Sequence, residues 1–99
     1  MNKRNDDDFL SEIKRALMIP ETETYADGEI KLHVESCCQL LISIGVDRNT
    51  AYSDNPLVKG LILIYVKTFF GFKSDGSVKE LPSNFELLVR QLALTSEES

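Results

Sequence analysis

Hydrophobic residues recur at the three- and four-residue spacing of amphipathic helices in four stretches of the chain. The first stretch runs from about Asp7 to Met18, and its apolar residues share one arc: Phe9, Leu10, Ile13, Ala16 and Leu17. Lys14 falls outside that arc, with the polar residues. Asp6-Asp7-Asp8 supplies a cap and a favourable charge for the helix dipole, and Pro20 ends the helix.

The second stretch predicts a helix of about 18 residues that begins at Asp27, a good capping residue, and stops at Gly45. Its apolar side chains form one broad face that includes Cys37 and Cys38. Leu32 breaks the pattern because it lies among the polar residues of the opposite face. Val46 to Asn55 is rich in Asp, Asn and Ser and is predicted to be a loop.

The third stretch opens with Asn55-Pro56, a cap followed by a proline at the first helical position, and runs to about Phe70. It is apolar in nearly every direction, as expected of a helix that is central or that a partner covers again. Its Ile-Leu-Ile-Tyr-Val centre would also suit a strand, but the cap, Gly60 and the length favour a helix.

The fourth stretch begins at Pro82-Ser83, where Ser83 and Glu86 have the spacing of a capping box. Phe85, Leu88, Val89, Leu92 and Ala93 share its apolar arc. Leu87 and Leu94 point the other way. The preceding loop, 71–83, contains the turn signal Ser74-Asp75-Gly76 and leaves room for a short hairpin.

These stretches predict one all-α domain, 1–99, built as a small bundle of about four helices around a nearly all-apolar third helix. The ordered core is expected over about 8–94, followed by a short acidic tail at 95–99. The chain has 99 residues and a net charge of −5, and neither half is basic. A protein that binds DNA phosphates over a broad surface needs a cluster of Lys and Arg, so a DNA-binding protein of that kind is disfavoured.

The sequence gives no positive reason to expect an enzyme or a cofactor. His33 and Cys37 are four residues apart, but one His and two Cys without a paired C-x-x-C spacing make a weak metal site or nucleophile. Cys37 and Cys38 are adjacent, which disfavours a disulfide on a helix, so both are interpreted as reduced, packed thiols. The first residues carry no signal peptide, and the longest apolar run, Leu61 to Val66, is too short to span a bilayer.

Four segments in this order resemble one family: Phe9 to Ile19, Asp27 to Val46, Ser53-Asp-Asn-Pro-Leu-Val-Lys59, and Leu81-Pro-Ser-Asn-Phe-Glu-Leu-Leu-Val-Arg-Gln-Leu92. That family is the small helical head–tail connector proteins of tailed bacteriophages, also labelled head-completion or DNA-packaging proteins. The resemblance covers roughly residues 9–94 and lies in the order of the segments. The Asp-Asn-Pro-Leu-Val-Lys and Leu-Pro-x-x-Phe pieces are its most specific parts.

The resemblance implies a structural role without catalysis or a cofactor. Such proteins assemble with copies of themselves as a ring, expected to be a dodecamer, beneath the portal protein of the filled capsid. The ring extends the DNA channel, through which DNA passes without specific binding, and offers a surface to the downstream connector or tail-completion protein. The implied location is the virion, at the head–tail junction, after assembly in the host cytoplasm, with no membrane involved.

Five residues have no evident place in the single core of a monomer and are the candidate subunit interface: Leu32, Val66, Phe70, Leu87 and Leu94. A closed ring needs two different patches on each subunit, which residues on several helices can provide. The alternative is a small helical interaction module or regulator that dimerises through the same exposed leucines. A metal- or thiol-dependent enzyme is a remote third hypothesis.

Overall fold

The computed structural model describes residues 2–71 and 80–97, except for the side chains of residues 95–97. Five helices follow one another in that part of the chain: α1 (Asp6–Ala16), α2 (Asp27–Ile44), α3 (Arg48–Ala51), α4 (Pro56–Phe69) and α5 (Phe85–Glu97). The prediction of a small all-α bundle is therefore confirmed. The hairpin expected at Ser74-Asp75-Gly76 lies outside the described residues.

Local sequence signals account for several helix ends. The Asn55 side chain accepts a hydrogen bond from the Leu57 amide at 2.8 Å, and Pro56 follows it at the start of α4, as predicted. Gly45 ends α2 with a φ of 122°, which a residue with a Cβ rarely adopts. At α1 the cap is Asn5, whose side chain accepts from the Asp8 amide at 2.9 Å, and the three aspartates fill the first turn.

Two expectations about helix boundaries are wrong. The segment expected as a loop after Gly45 contains α3, which the Asp47 carboxylate caps by accepting from the Asn49 and Thr50 amides. The expected tail begins too early, since α5 continues to Glu97.

The second helix begins without a side-chain cap: its N-cap residue is Ala26, and Asp27 instead forms an ion pair with Lys14 of α1 at 3.0 Å. Lys14 is itself buried, although the sequence places it with the polar residues of its helix. The pair therefore lies between α1 and α2 rather than on a solvated face.

The core lies along α2, which contacts each of the other four helices and packs most extensively on α4. Its fully buried larger side chains are Ile13, Ile30, Cys37, Cys38, Leu41, Val58, Ile62, Val66 and Val89. The N-terminal residues also join this body ahead of the expected start at about residue 8: Lys3 pairs with Ser53 in an isolated antiparallel bridge, and Arg4 is buried.

The prediction that Val66 belongs to the subunit interface is wrong. Its side chain is 0% exposed, because it lies on the side of α4 that packs into the core. The sequence could not reveal this, since α4 is apolar in nearly every direction and several of its faces are equally good candidates for burial. Val66 is therefore a core residue and offers no side chain to a second subunit.

Candidate subunit interface

Exposed leucines are the most conspicuous feature of the surface. Leu32 on α2 is 64% exposed and Leu57 on α4 is 68% exposed, while Leu87 and Leu94 on α5 are also more than half exposed. Single exposed leucines are common and carry little meaning. These leucines are of interest because they lie in two separate regions of the surface.

The first region is an apolar groove between α4 and α5, of about 400 Å³. Among the residues that the structure describes, no charged side chain lines it; the lining consists of Pro56, Leu57, Gly60, Leu61, Ile64, Leu88, Gln91 and Leu92. Gly60 helps to open it: a Cβ built there would meet no atom within 4 Å. The groove was not predicted from the sequence, although Gly60 and the all-round apolar pattern of α4 were its visible signals.

Leu87 and Leu94 do not line the groove, but they are exposed on α5, the helix that contributes Leu88, Gln91 and Leu92 to it. They are seven residues apart on α5, and Gln91, which lines the groove, lies between them at helical spacing. Together with Leu57 and Leu88 they form what is called here the α4–α5 patch. The patch, as defined, contains two of the five residues that the sequence singled out, Leu87 and Leu94, and two exposed leucines that it did not.

Leu32 lies far from this patch. Gly45, at the end of α2, approaches α5, where a Cβ added to the glycine would be 3.6 Å from the Cβ of Ala93. Leu32 is 13 positions earlier in the chain, which corresponds to about 20 Å along the helix. Its helical neighbours four residues away, Gly28 and Ser36, are small, so the leucine protrudes from its surroundings.

Phe70 lies at the same end of the molecule as Leu32. It caps the C-terminal end of α4, is half-buried and packs against the core. The following residue, Gly71, donates its amide hydrogen to the Glu29 carboxylate at 2.8 Å, which ties this end of α4 to the first half of α2. Phe70 therefore contributes only a partly exposed surface beside the Leu32 region.

The thiols of Cys37 and Cys38 are poorly suited to act as nucleophiles. Both are free and fully buried. Burial raises the pKa of Cys37 to about 12 and also raises the pKa of Cys38, although the Arg4 guanidinium opposes the second shift. Since the thiolate is the reactive form, neither cysteine is activated as a nucleophile.

His33 is half-buried at the boundary of the core. Its Nε2 is 3.2 Å from the Glu29 carboxylate, and its ring lies 6.4 Å from that of Tyr65 and 6.5 Å from that of Phe69, centre to centre. Across residues 2–71 and 80–97, no three His, Cys, Asp or Glu side chains are grouped so that they could hold a metal ion. No helix of that part is long and apolar enough to cross a bilayer.

Comparison with known proteins identifies the family. The family model described as phage connector protein matches residues 9–99 of the chain. No curated protein and no solved structure matches it. The matched segment contains α1 to α5 in full except for the first three residues of α1, and with them both apolar regions.

Proposed function

Since the chain belongs to the phage connector protein family, we propose that it is a head–tail connector subunit that forms a ring under the portal protein. The ring, expected to be dodecameric, assembles in the host cytoplasm on a DNA-filled head and remains in the virion. It extends the DNA channel and provides the docking surface for the next connector or tail-completion protein. No reaction and no cofactor are part of this role.

The separation of the two apolar regions is the observation that carries the ring proposal. In a head-to-tail contact, one surface of a subunit meets a different surface of the next, and the contact closes into a ring when the rotation allows it. Leu32 protrudes at one end of the molecule and the α4–α5 groove is open at a distance from it. We place Leu32 of one subunit in the groove of its neighbour, next to Leu57.

The charge of the chain supports passage of DNA rather than binding to it. The net charge is −5, and the exposed first turn of α1 carries three consecutive aspartates, Asp6 to Asp8. A wall without a basic cluster releases few counterions when DNA comes near, so it does not hold the duplex. This suits a channel through which a genome must slide in both packaging and ejection.

Introducing a charge at the contact tests the ring proposal. Leu32→Glu places a carboxylate in an uncharged groove and removes roughly 1.5–3 kcal/mol of apolar burial at every joint. The fold should survive, because Leu32 is outside the core. We expect normal circular dichroism but a loss of rings on isolated portal, counted by electron microscopy, and few filled heads that join tails. Lys31→Glu is the matched control, since it introduces the same carboxylate at the neighbouring exposed position.

A charge pair distinguishes the ring from a two-fold dimer, which is the form that the alternative interaction module would take. In a head-to-tail ring, Leu32→Glu combined with Leu57→Lys brings opposite charges together at every joint, so assembly on the portal should return in part. In a two-fold contact through Leu32, two glutamates still face each other and the second substitution rescues nothing. Normal head completion by Leu32→Glu alone would overturn the proposed contact.

A further inference from the structure

Residues 2–4 form a strap along the turn that connects α3 and α4. The Arg4 amide donates to the Tyr52 carbonyl oxygen at 3.2 Å, and the Asp54 amide donates to the Asn2 carbonyl oxygen at 2.8 Å. These bonds join two irregular segments that are distant in sequence. The strap is thus bound to the surface of the helical domain, whose hydrophobic core is formed by the helices themselves.

Arg4 is the anchor of the strap. It is only 6% exposed, whereas the other strap residues are exposed. Its guanidinium donates to the carbonyl oxygens of Ala51 at 2.7 Å and Ser53 at 3.2 Å, and to the Cys38 sulfur at 3.0 Å. The same group lies over the ring of Phe9, 5.4 Å from its centre. One side chain therefore supplies most of the strap's buried contact.

This anchor is a buried cation that is incompletely satisfied. Within the part of the chain that the structure describes, Arg4 makes no ion pair with a carboxylate, and its Nε is buried without a hydrogen-bond partner. A buried charge without a counter-ion regains solvation when it returns to water. Release of the strap therefore costs less than unfolding of the helices, which is the condition for a local opening.

We propose that residues 2–4 are a releasable latch, which detaches while the helical body stays folded and thereby uncovers Cys38. The strap also forms one wall of a groove of about 460 Å³ between α1 and α2, whose lining includes Phe9, Ile13 and Ile30. Detachment opens that groove on the side of Lys3 and Arg4. This proposal does not depend on the connector role.

The two adjacent cysteines allow a test on the folded protein. Neighbouring residues on a helix point about 100° apart, so Cys37 does not share the contact of Cys38 with Arg4. The rate of reaction with a small aromatic disulfide reagent is measured against urea concentration in Cys37→Ala and in Cys38→Ala. We expect Cys38 to react at low urea through local opening of the strap, at a rate that depends little on the urea concentration. Cys37 should react only as the whole domain unfolds, with a steep dependence on urea.

Removal of the anchor gives the second arm. Arg4→Met in the Cys37→Ala background should accelerate the reaction of Cys38 at low urea by about tenfold or more, since the three hydrogen bonds that the guanidinium donates in the closed strap outweigh the solvation it regains on release. Lys3→Met, on the exposed neighbour, should leave the rate unchanged. Equal rates and equal urea dependence for the two cysteines in the parent protein overturn the latch, whether or not Arg4→Met folds. So does an unchanged Cys38 rate in a folded Arg4→Met variant.

Discussion

Lys14 is expected to contribute far more to stability than its place among the polar residues of the first predicted helix suggests. Its ammonium group forms an ion pair with the Asp27 carboxylate at 3.0 Å and donates to the carbonyl oxygens of Glu21, at 3.0 Å, and of Glu23. One side chain thus holds the connection between α1 and α2 at three points. Lys14→Met removes the charge and keeps most of the aliphatic stem.

The magnitude follows from what the substitution leaves behind. Removing one partner of a buried ion pair costs about 3–5 kcal/mol, because the other charge stays buried without compensation. The Asp27 side chain is 25% exposed, so water relieves part of that penalty. The expected loss is therefore near the lower end, about 3 kcal/mol of unfolding free energy.

Arg15→Met is the matched control. Arg15 is the next residue of α1, and its guanidinium lies 3.8 Å from the Glu21 carboxylate, with both side chains well exposed. Exposed pairs of this kind contribute about 0–1 kcal/mol. Urea unfolding followed by circular dichroism measures both variants, and Asp27→Asn with the Lys14→Met double variant completes a cycle whose coupling should exceed about 1 kcal/mol.

Two outcomes would contradict this role of Lys14. If Lys14→Met loses no more stability than Arg15→Met, the buried pair does not hold the two helices together. A coupling near zero would show, in turn, that Lys14 acts through the loop carbonyls alone and that Asp27 is solvated in solution.

Three further outcomes are expected. Asn55→Ala should lower the unfolding free energy by about 1 kcal/mol, measured by urea unfolding, since it removes the cap of α4; an unchanged midpoint would mean that the cap is not formed. The hydrogen bond from the Tyr52 hydroxyl lowers the pKa of Glu35, so Tyr52→Phe should raise it in an NMR titration. Because folding lowers the pKa of Glu35, the stability that this carboxylate contributes is present above the usual Glu range and is lost as the pH falls through the folded pKa. Tyr52→Phe should therefore lose less stability than the parent protein over that pH range. A Glu35 titration that is unchanged in the variant would contradict this. Finally, the isolated protein should not retain duplex DNA at physiological salt in a mobility-shift assay, whereas tight, sequence-dependent binding would favour a regulator.

The helices could be predicted from the sequence because each buries one face. The periods of α1, α2 and α5 report that burial directly, whereas α4 is predicted from its Asn55-Pro56 cap, Gly60 and its length. Gly45 marks the end of α2. The short α3 has four residues, barely one turn, so it shows no period. Its signal was the capping aspartate, Asp47, within a segment that otherwise has the composition of a loop.

The exposed leucines divide into those that pattern can identify and those that it cannot. Leu32, Leu87 and Leu94 are exposed as predicted, because each interrupts a polar face of an amphipathic helix. In α4 almost every position is apolar, so the pattern does not distinguish Val66, which is buried, from Leu57, which is exposed. Only the packing of α2 and α5 against α4 decides between them.

The buried cations could not be predicted for a different reason. Arg4 and Lys14 are buried because backbone carbonyls and one carboxylate or thiol come to them from distant parts of the chain. Such partners exist only once the tertiary structure has formed, and charged residues are rarely fully buried without them. A sequence pattern records polarity and spacing, but not the partners that make burial of a charge acceptable.

The weakness of the proposed joint has a consequence for where assembly takes place. Two free subunits lose about 4–15 kcal/mol in translational and rotational freedom when they associate. Burial of Leu32 in the groove contributes roughly 1.5–3 kcal/mol to association, and the flanking leucines of the α4–α5 patch contribute at most a similar free energy. The sum lies close to the cost, so free subunits are expected to stay apart at low concentration. A portal ring that binds each subunit removes most of that cost for the next joint, because neighbours are then held side by side. If the proposed contact forms, its small size would confine assembly to the portal and keep free subunits from closing rings away from a filled head.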